Sequence, residues 1–188
     1  MFDFSQVKGI IFDLDDTLVH ANLDFKAIKA ELACPEQDDI LLHINDLSCQ
    51  NEKRWANEVV LRHELEDAQT SRLINGANEF IQQAIQHELP LAIVTRNCLD
   101  ATRIKLRNNL IPIDLVLTRE DALPKPHPQA LLKIAYQWQV PTQDIAYIGD
   151  YKYDIQAAHN ADMQAWLFTY NEQAGSYKDC LTKVDKPL

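Results

Sequence analysis

No apolar run in this 188-residue chain approaches the ~20 residues that a membrane-spanning helix needs. The opening Met1-Phe2-Asp3-Phe4 lacks the basic and apolar stretches of a secretory signal. The four cysteines, Cys34, Cys49, Cys98 and Cys180, are scattered and form no Cys-x-x-Cys pair, which excludes a zinc or disulfide framework built on close spacing. Positive charge is also scarce: 18 Lys and Arg stand against 28 Asp and Glu, a net charge of −10. Gripping a nucleic-acid backbone takes basic patches, so no nucleic-acid partner is expected. An anionic substrate has to be drawn in by a local site, because the net field repels it. There is no internal repeat and no low-complexity stretch. These absences describe a cytoplasmic protein with reduced thiols and no membrane partner. Oligomeric state leaves no trace in the sequence.

What is present is ordinary globular composition, 46% hydrophobic and 24% charged, with length for one good core and a small accessory domain. Five short segments read as buried strands: residues 7–13, 91–95, 115–118, 145–148 and 165–168. Helical patterns at 78–87, 100–108 and 128–138 alternate with the later strands. That alternation implies an α/β fold, a doubly wound parallel sheet with helices on both faces. Residues 19–75 differ, with no convincing strand and helical patterns at 25–32, 39–47 and 52–67 broken at Cys34-Pro35-Glu36. So long a helical stretch exceeds one crossover. It reads as an inserted helical cap over 19–76, leaving a discontinuous core of 1–18 and 77–188. The tail, 170–188, looks irregular and receives no role.

Polar clusters fall where four of the strands end. Ile10-Ile11-Phe12 runs into Asp13-Leu14-Asp15-Asp16-Thr17; the second strand ends in Thr95-Arg96-Asn97; Leu123-Pro124-Lys125-Pro126 follows the third; Gly149-Asp150-Tyr151-Lys152-Tyr153-Asp154 follows the fourth. Carboxyl ends of parallel strands converge on one crevice. Carboxylates crowded there repel one another unless a cation or proton intervenes, and Mg²⁺ is a hard ion that takes oxygen ligands and leaves room for a phosphate. Phosphoryl transfer needs a nucleophile, an acid–base partner, charge neutralisation and donors for phosphoryl oxygens. Asp13 can serve as nucleophile and metal ligand, and Asp15 can protonate the leaving oxygen and then activate water. Thr95 can donate to the phosphoryl group, with Arg96 and Asn97 beside it on the substrate side. Lys125 can neutralise both phosphate and acids. Asp150 can complete the metal's oxygen shell, with Asp154 a direct or supporting ligand.

Each cluster has a bland reading when taken alone: a capped turn for Asp-x-Asp, a strand terminus for Thr95, a surface lysine in a Pro-rich loop for Lys125. Their ordered conjunction at four strand ends carries the site. His20, His127 and His159 lack ligand partners at useful spacing and read as solvated or structural. Cys98 reads as an inert thiol. Trp55 is expected to pack between cap helices. Arg54, Arg62 and Arg72 are cap-side candidates for contact with a leaving group.

The four clusters resemble the motifs of the haloacid dehalogenase-like superfamily: Asp-x-Asp-x-Thr, a strand-terminal Thr or Ser, a Lys, and Gly-Asp-x-x-x-Asp. The helical insert resembles that family's C1-type cap, and the phosphoglycolate-phosphatase-like members look nearest. The resemblance implies strand order 5-4-1-2-3, Mg²⁺, an aspartyl-phosphate intermediate, and metal binding by the backbone carbonyl of Asp15 rather than its carboxylate. An Asp at the second acidic position marks the phosphatases and phosphomutases, which argues against dehalogenation. Asp16 stands where a Gly is commoner. Tyr151 and Tyr153 stand where phosphoglycolate phosphatases usually carry small or polar residues, and could line the cap-side wall. The expected function is a Mg²⁺-dependent phosphatase acting on a small phosphorylated metabolite. The alternatives are a phosphomutase of β-phosphoglucomutase type and a non-enzymatic phospho-acceptor module like a response-regulator receiver. A receiver places its acceptor Asp after the third strand and has no helical cap; this chain ends that strand in Leu117-Thr118-Arg119-Glu120.

Overall fold

The computed structural model describes residues 1–185, so the last residues of the expected core and tail, 186–188, lie outside the described part. Five parallel strands, β1 (Gly9–Phe12), β4 (Leu91–Val94), β5 (Leu115–Leu117), β6 (Ile145–Gly149) and β7 (Gln164–Phe168), form the sheet with an antiparallel edge strand, β8 (Leu181–Lys183). The spatial order is β5-β4-β1-β6-β7-β8. Read from the β7 side and counting only the parallel strands, this is the expected 5-4-1-2-3 order. The central strands are apolar on both faces because both faces are covered. Ile10, Phe12, Ile93 and Ile148 pack into one cluster with Phe80 and Ile81 of α4 (Ala77–Gln86). Ile11, Ala92, Val94 and Tyr147 point the other way, onto Leu131 and Ile134 of α6 (Gln129–Trp138) and Ile155 of α7 (Lys152–Asn160).

One acid and one threonine leave the sheet just past its last paired residues. The Asp13 N–H still donates to Ile148 O at 2.8 Å and the Thr95 N–H to Leu117 O at 3.0 Å. Both strands therefore carry one further ladder bond into the site, although β1 and β4 end at Phe12 and Val94.

Between β1 and α4 the chain builds α1 (Phe25–Glu31), α2 (Ile40–Asp46) and α3 (Gln50–Thr70). The insert has an apolar cluster of its own, which includes Ile28, Leu32, Ile40, Ile44, Val59 and Val60. Asp24 and Asp39 start α1 and α2 by accepting first-turn N–H groups. The far end of α3 leans on α5 (Leu99–Asn108), where Ala68 meets Cys98 and Ala101.

Three expectations need correction. The stretch read as strand-free is flanked by β2 (Val19–His20) and β3 (Arg72–Leu73), an antiparallel ribbon where the chain leaves and re-enters the sheet layer. Two residues per strand are too few to leave a period-two signature. The tail has a role: β8 pairs with β7, and the buried Tyr177 stacks on Phe168 at 4.5 Å and donates its hydroxyl to Thr17 O at 2.9 Å. Trp55 does not pack between helices; it is 48% exposed. No helix among the described residues is long and apolar enough to cross a membrane.

Candidate active site

Asp13, Asp150 and Asp154 bring one carboxylate oxygen each to within 4.8 Å of one another, at the carboxyl ends of β1 and β6. The loop after β5 supplies their cation. Lys125 Nζ donates to Asp13 Oδ1 at 2.6 Å and to Asp154 Oδ1 at 2.5 Å, and the lysine is buried. Asp154 is held on every side: its Oδ1 also accepts the Tyr147 hydroxyl at 2.9 Å, and its Oδ2 accepts the Tyr151 N–H at 3.0 Å. Gly149 makes this approach possible, since a Cβ there would lie 2.3 Å from Asp154 Cγ. Asp150 receives the Thr17 hydroxyl on Oδ1 at 3.3 Å.

One ammonium does not balance three carboxylates. Burial, together with the neighbouring Asp154 and Asp150, pushes the Asp13 carboxyl well above its ordinary range, although Lys125 pulls it down. Burial and the charges of Asp154 and Asp16 raise Asp150 to about 6. Burial alone would lower Lys125, but Asp13 and Asp154 outweigh it and hold it above its usual value. An oxygen-only donor set with surplus negative charge fits a hard divalent cation. Asp13 and Asp150 have oxygen atoms to give. Asp154, whose oxygens are engaged by Lys125, Tyr147 and Tyr151, fits the supporting place.

Asp15 stands apart from this cluster. Its Oδ2 accepts from Asn97 Nδ2 at 2.7 Å and its Oδ1 from Lys105 Nζ at 2.5 Å. Donors other than Lys125 thus hold the Asp15 carboxylate. Asp16 has φ 51, the left-handed conformation that explains why a Gly is commoner there, and its Oδ1 accepts the Ala21 N–H. Thr95 is buried beside the site, its Oγ1 accepting the Asn97 N–H at 3.2 Å.

Arg96 does not join the acids. Its Nη2 meets both Asp39 oxygens at 2.7 Å, and its guanidinium lies 5.4 Å from the Tyr153 ring centre. Tyr151 packs edge-on against Tyr153, and Lys152 lies over both rings. Two further ties join insert to core. Arg119 pairs with Glu64, whose other oxygen accepts the Cys98 N–H at 3.0 Å; Lys105 pairs with Asp67 at 2.6 Å. Of the insert arginines, Arg62 pairs with Glu31, and Arg54 and Arg72 are exposed. Cys98 is buried, and burial pushes its thiol up to about 11, in keeping with an inert role. His20 packs on Tyr170, and His159 Nε2 lies 2.7 Å from Val184 O.

Lys105, Asp67, Asp39 and Tyr147 are site neighbours that the motifs do not name. Lys105 left one signal: it shares the buried face of α5 with Ala101 and Thr102, one turn back.

The model of the haloacid dehalogenase-like hydrolase family matches residues 10–168. The chain belongs to that family. A haloacid dehalogenase-like hydrolase domain-containing protein of Arabidopsis thaliana is 27% identical over 159 residues, 78% of this chain and 64% of that protein, so the chain spans under two thirds of this relative's length. A phosphoglycolate phosphatase of Pectobacterium atrosepticum is 26% identical over 200 residues, covering 93% of this chain and 86% of that enzyme. Among solved structures, a predicted phosphoglycolate phosphatase from Haemophilus somnus superposes with a TM-score of 0.69 at 21% identity, covering 88% of this chain and 87% of that one. That similarity concerns the fold. Family members typically use a divalent metal, and the buried acidic cluster is compatible with one.

Proposed function

We propose that this hydrolase is a phosphatase for a small phosphomonoester, of the kind the Pectobacterium relative's name describes, working through an aspartyl-phosphate on Asp13 and with Mg²⁺ as its metal. One observation carries the reading: Asp13, Asp150 and Asp154 gather around Lys125, while Asp15, two residues from Asp13, is held apart by Asn97 and Lys105. Two carboxylates with different surroundings suit two roles.

Asp13, Asp150 and the backbone carbonyl of Asp15 would hold the ion, with Asp154 in support. When bound, the ion supplies charge neutralisation for the phosphoryl oxygens. An oxygen of Asp13 attacks phosphorus, and the bond from phosphorus to the ester oxygen breaks. Asp15 gives its proton to that departing oxygen. Asp15, now a carboxylate, then takes a proton from a water molecule whose oxygen attacks the phosphorus of the acyl phosphate. Phosphate leaves and Asp13 is restored. Lys125 offsets charge throughout, and Thr95 with nearby backbone N–H groups donates to the phosphoryl oxygens. Residues 19–76 act as the cap over this crevice, with residues 1–18 and 77–188 as the catalytic core. Arg96 and Asn97 face the leaving-group side, and Arg96 reaches a substrate by exchanging Asp39 for it.

The test is a screen of the purified protein with Mg²⁺ against phosphorylated metabolites, including 2-phosphoglycolate and β-glucose 1-phosphate, compared by kcat/KM. Phosphate release over many turnovers from at least one monoester is the expected result. Conversion of β-glucose 1-phosphate to the 6-phosphate would assign a mutase instead. A single self-modification without turnover would assign a phospho-acceptor.

A further inference from the structure

Lys105 is a buried cation that the reaction above leaves unused. Its side chain is 1% exposed, on the face of α5 that carries Ala101 and Thr102. Apolar residues suit that position, and lysine is seldom so buried without partners. Its partners are two carboxylates from different parts of the chain. Nζ lies 2.5 Å from Asp15 Oδ1 and 2.6 Å from Asp67 Oδ2. Asp67 lies in the last turn of α3, and its Oδ1 accepts the Asn22 N–H at 2.6 Å. Asn22 follows β2, and β3 follows α3, so Asp67 marks the junction where both connections to the insert run. Asn97 holds the other oxygen of Asp15. Both oxygens of Asp15 are thus fixed by donors. One of those donors also reaches α3, and it can pair with both carboxylates only while α3 is seated against α5.

We propose that Lys105 is a positioning residue, which holds the Asp15 carboxylate in its working orientation and ties that orientation to the seating of the insert through Asp67. The inference rests on the reading of Asp15 as the acid–base group. A purely structural role is the weaker explanation, because a buried ion pair is often matched or bettered in stability by well-packed apolar residues.

The experiment compares phenyl phosphate with p-nitrophenyl phosphate, two probes of similar shape whose leaving groups differ in their need for a proton. It uses kcat/KM with Mg²⁺, which reports the step in which the leaving group departs. Lys105→Met should lower kcat/KM on phenyl phosphate about tenfold or more and on p-nitrophenyl phosphate by less than about threefold, since general acid help is worth ~10²–10⁴-fold in full. Lys105→Met leaves Asp67 without its cation, so a second variant, Lys105→Met with Asp67→Asn, removes both charges and keeps the acceptor for Asn22. That variant should recover thermal stability and keep the selective loss. Equal losses on the two probes, or a double variant that regains the phenyl phosphate rate, would overturn the proposal. Asp15→Asn is the control. Selectivity in Asp15→Asn but not in the Lys105 variants sinks this inference alone; equal losses in Asp15→Asn sink the acid–base reading and the inference with it.

Discussion

Taking a carboxylate out of the candidate metal site should make the metal-free protein more stable. Asp150 is raised from 3.8 to about 6, mainly by burial and by the charges of Asp154 and Asp16. A carboxyl whose folded pKa lies above its unfolded value stabilises the fold fully only below the unfolded value, and that contribution is lost as pH rises through the folded one. Two pKa units correspond to about 3 kcal/mol of cost at pH 7.5, where Asp150 is ionised in both states. At pH 5 the folded carboxyl is largely protonated while the unfolded one is not, and the cost falls to about half that value. Asp150→Asn removes this cost and keeps an acceptor for the Thr17 hydroxyl, 3.3 Å away. For a chain of this length, 1 kcal/mol moves Tm by about 2–4 °C, so in chelator at pH 7.5 the variant should melt roughly 6–12 °C above the parent. The gain should shrink by about half at pH 5. Adding Mg²⁺ should stabilise the parent and leave the variant nearly unmoved. A variant that melts at or below the parent in chelator at pH 7.5, or a gain that does not shrink on acidification, would refute the picture of surplus negative charge at this site.

Gly149→Ala should cost at least about 100-fold in kcat, because a Cβ 2.3 Å from Asp154 Cγ forces Asp154, and Lys125 with it, to shift; near-parent activity would show that Asp154 need not stand where it does. Activity should require Mg²⁺ and be inhibited by Ca²⁺, whose preference for more and longer oxygen bonds lets Asp13 bind through both oxygens; full rate in excess chelator would remove the metal from the account. Tyr177→Phe should cost about 1–3 kcal/mol by leaving Thr17 O without its buried donor, read as a lower Tm with kcat little changed; an unaltered Tm would deny the tail its structural role.

The central sheet was legible because its strands are short apolar runs and four of them are followed by a cluster of polar residues. Asp13 meets Lys125, and Thr95 follows the strand next to β1, because parallel strands end at one edge, which the alternation of strands and helices already implies. What escaped the reading was carried by pairs rather than by patterns. Lys105 on a helix looks like a solvated lysine until Asp15 and Asp67 are seen around it. Nothing near Arg96 in the sequence shows that Asp39, an N-cap residue from the insert, pairs with its guanidinium. The ribbon of β2 and β3 is too short for any periodicity. β8 has only Leu181 buried, so no alternating face announces it. Tyr177 gives no local sign that its hydroxyl reaches Thr17, 160 residues away.

The most direct measurement concerns the covalent bond to Asp13. Protein mixed with p-nitrophenyl phosphate and Mg²⁺ is quenched in acid at short times, digested, and searched by mass spectrometry for a phosphorylated peptide. The account predicts a transient, hydroxylamine-labile phosphoryl group on the peptide that carries Asp13, formed as p-nitrophenolate appears. It predicts none in Asp13→Asn, together with loss of turnover. Steady phosphate release with no adduct at any quench time, or an Asp13→Asn variant that keeps more than about a few per cent of the parent's rate, would contradict it.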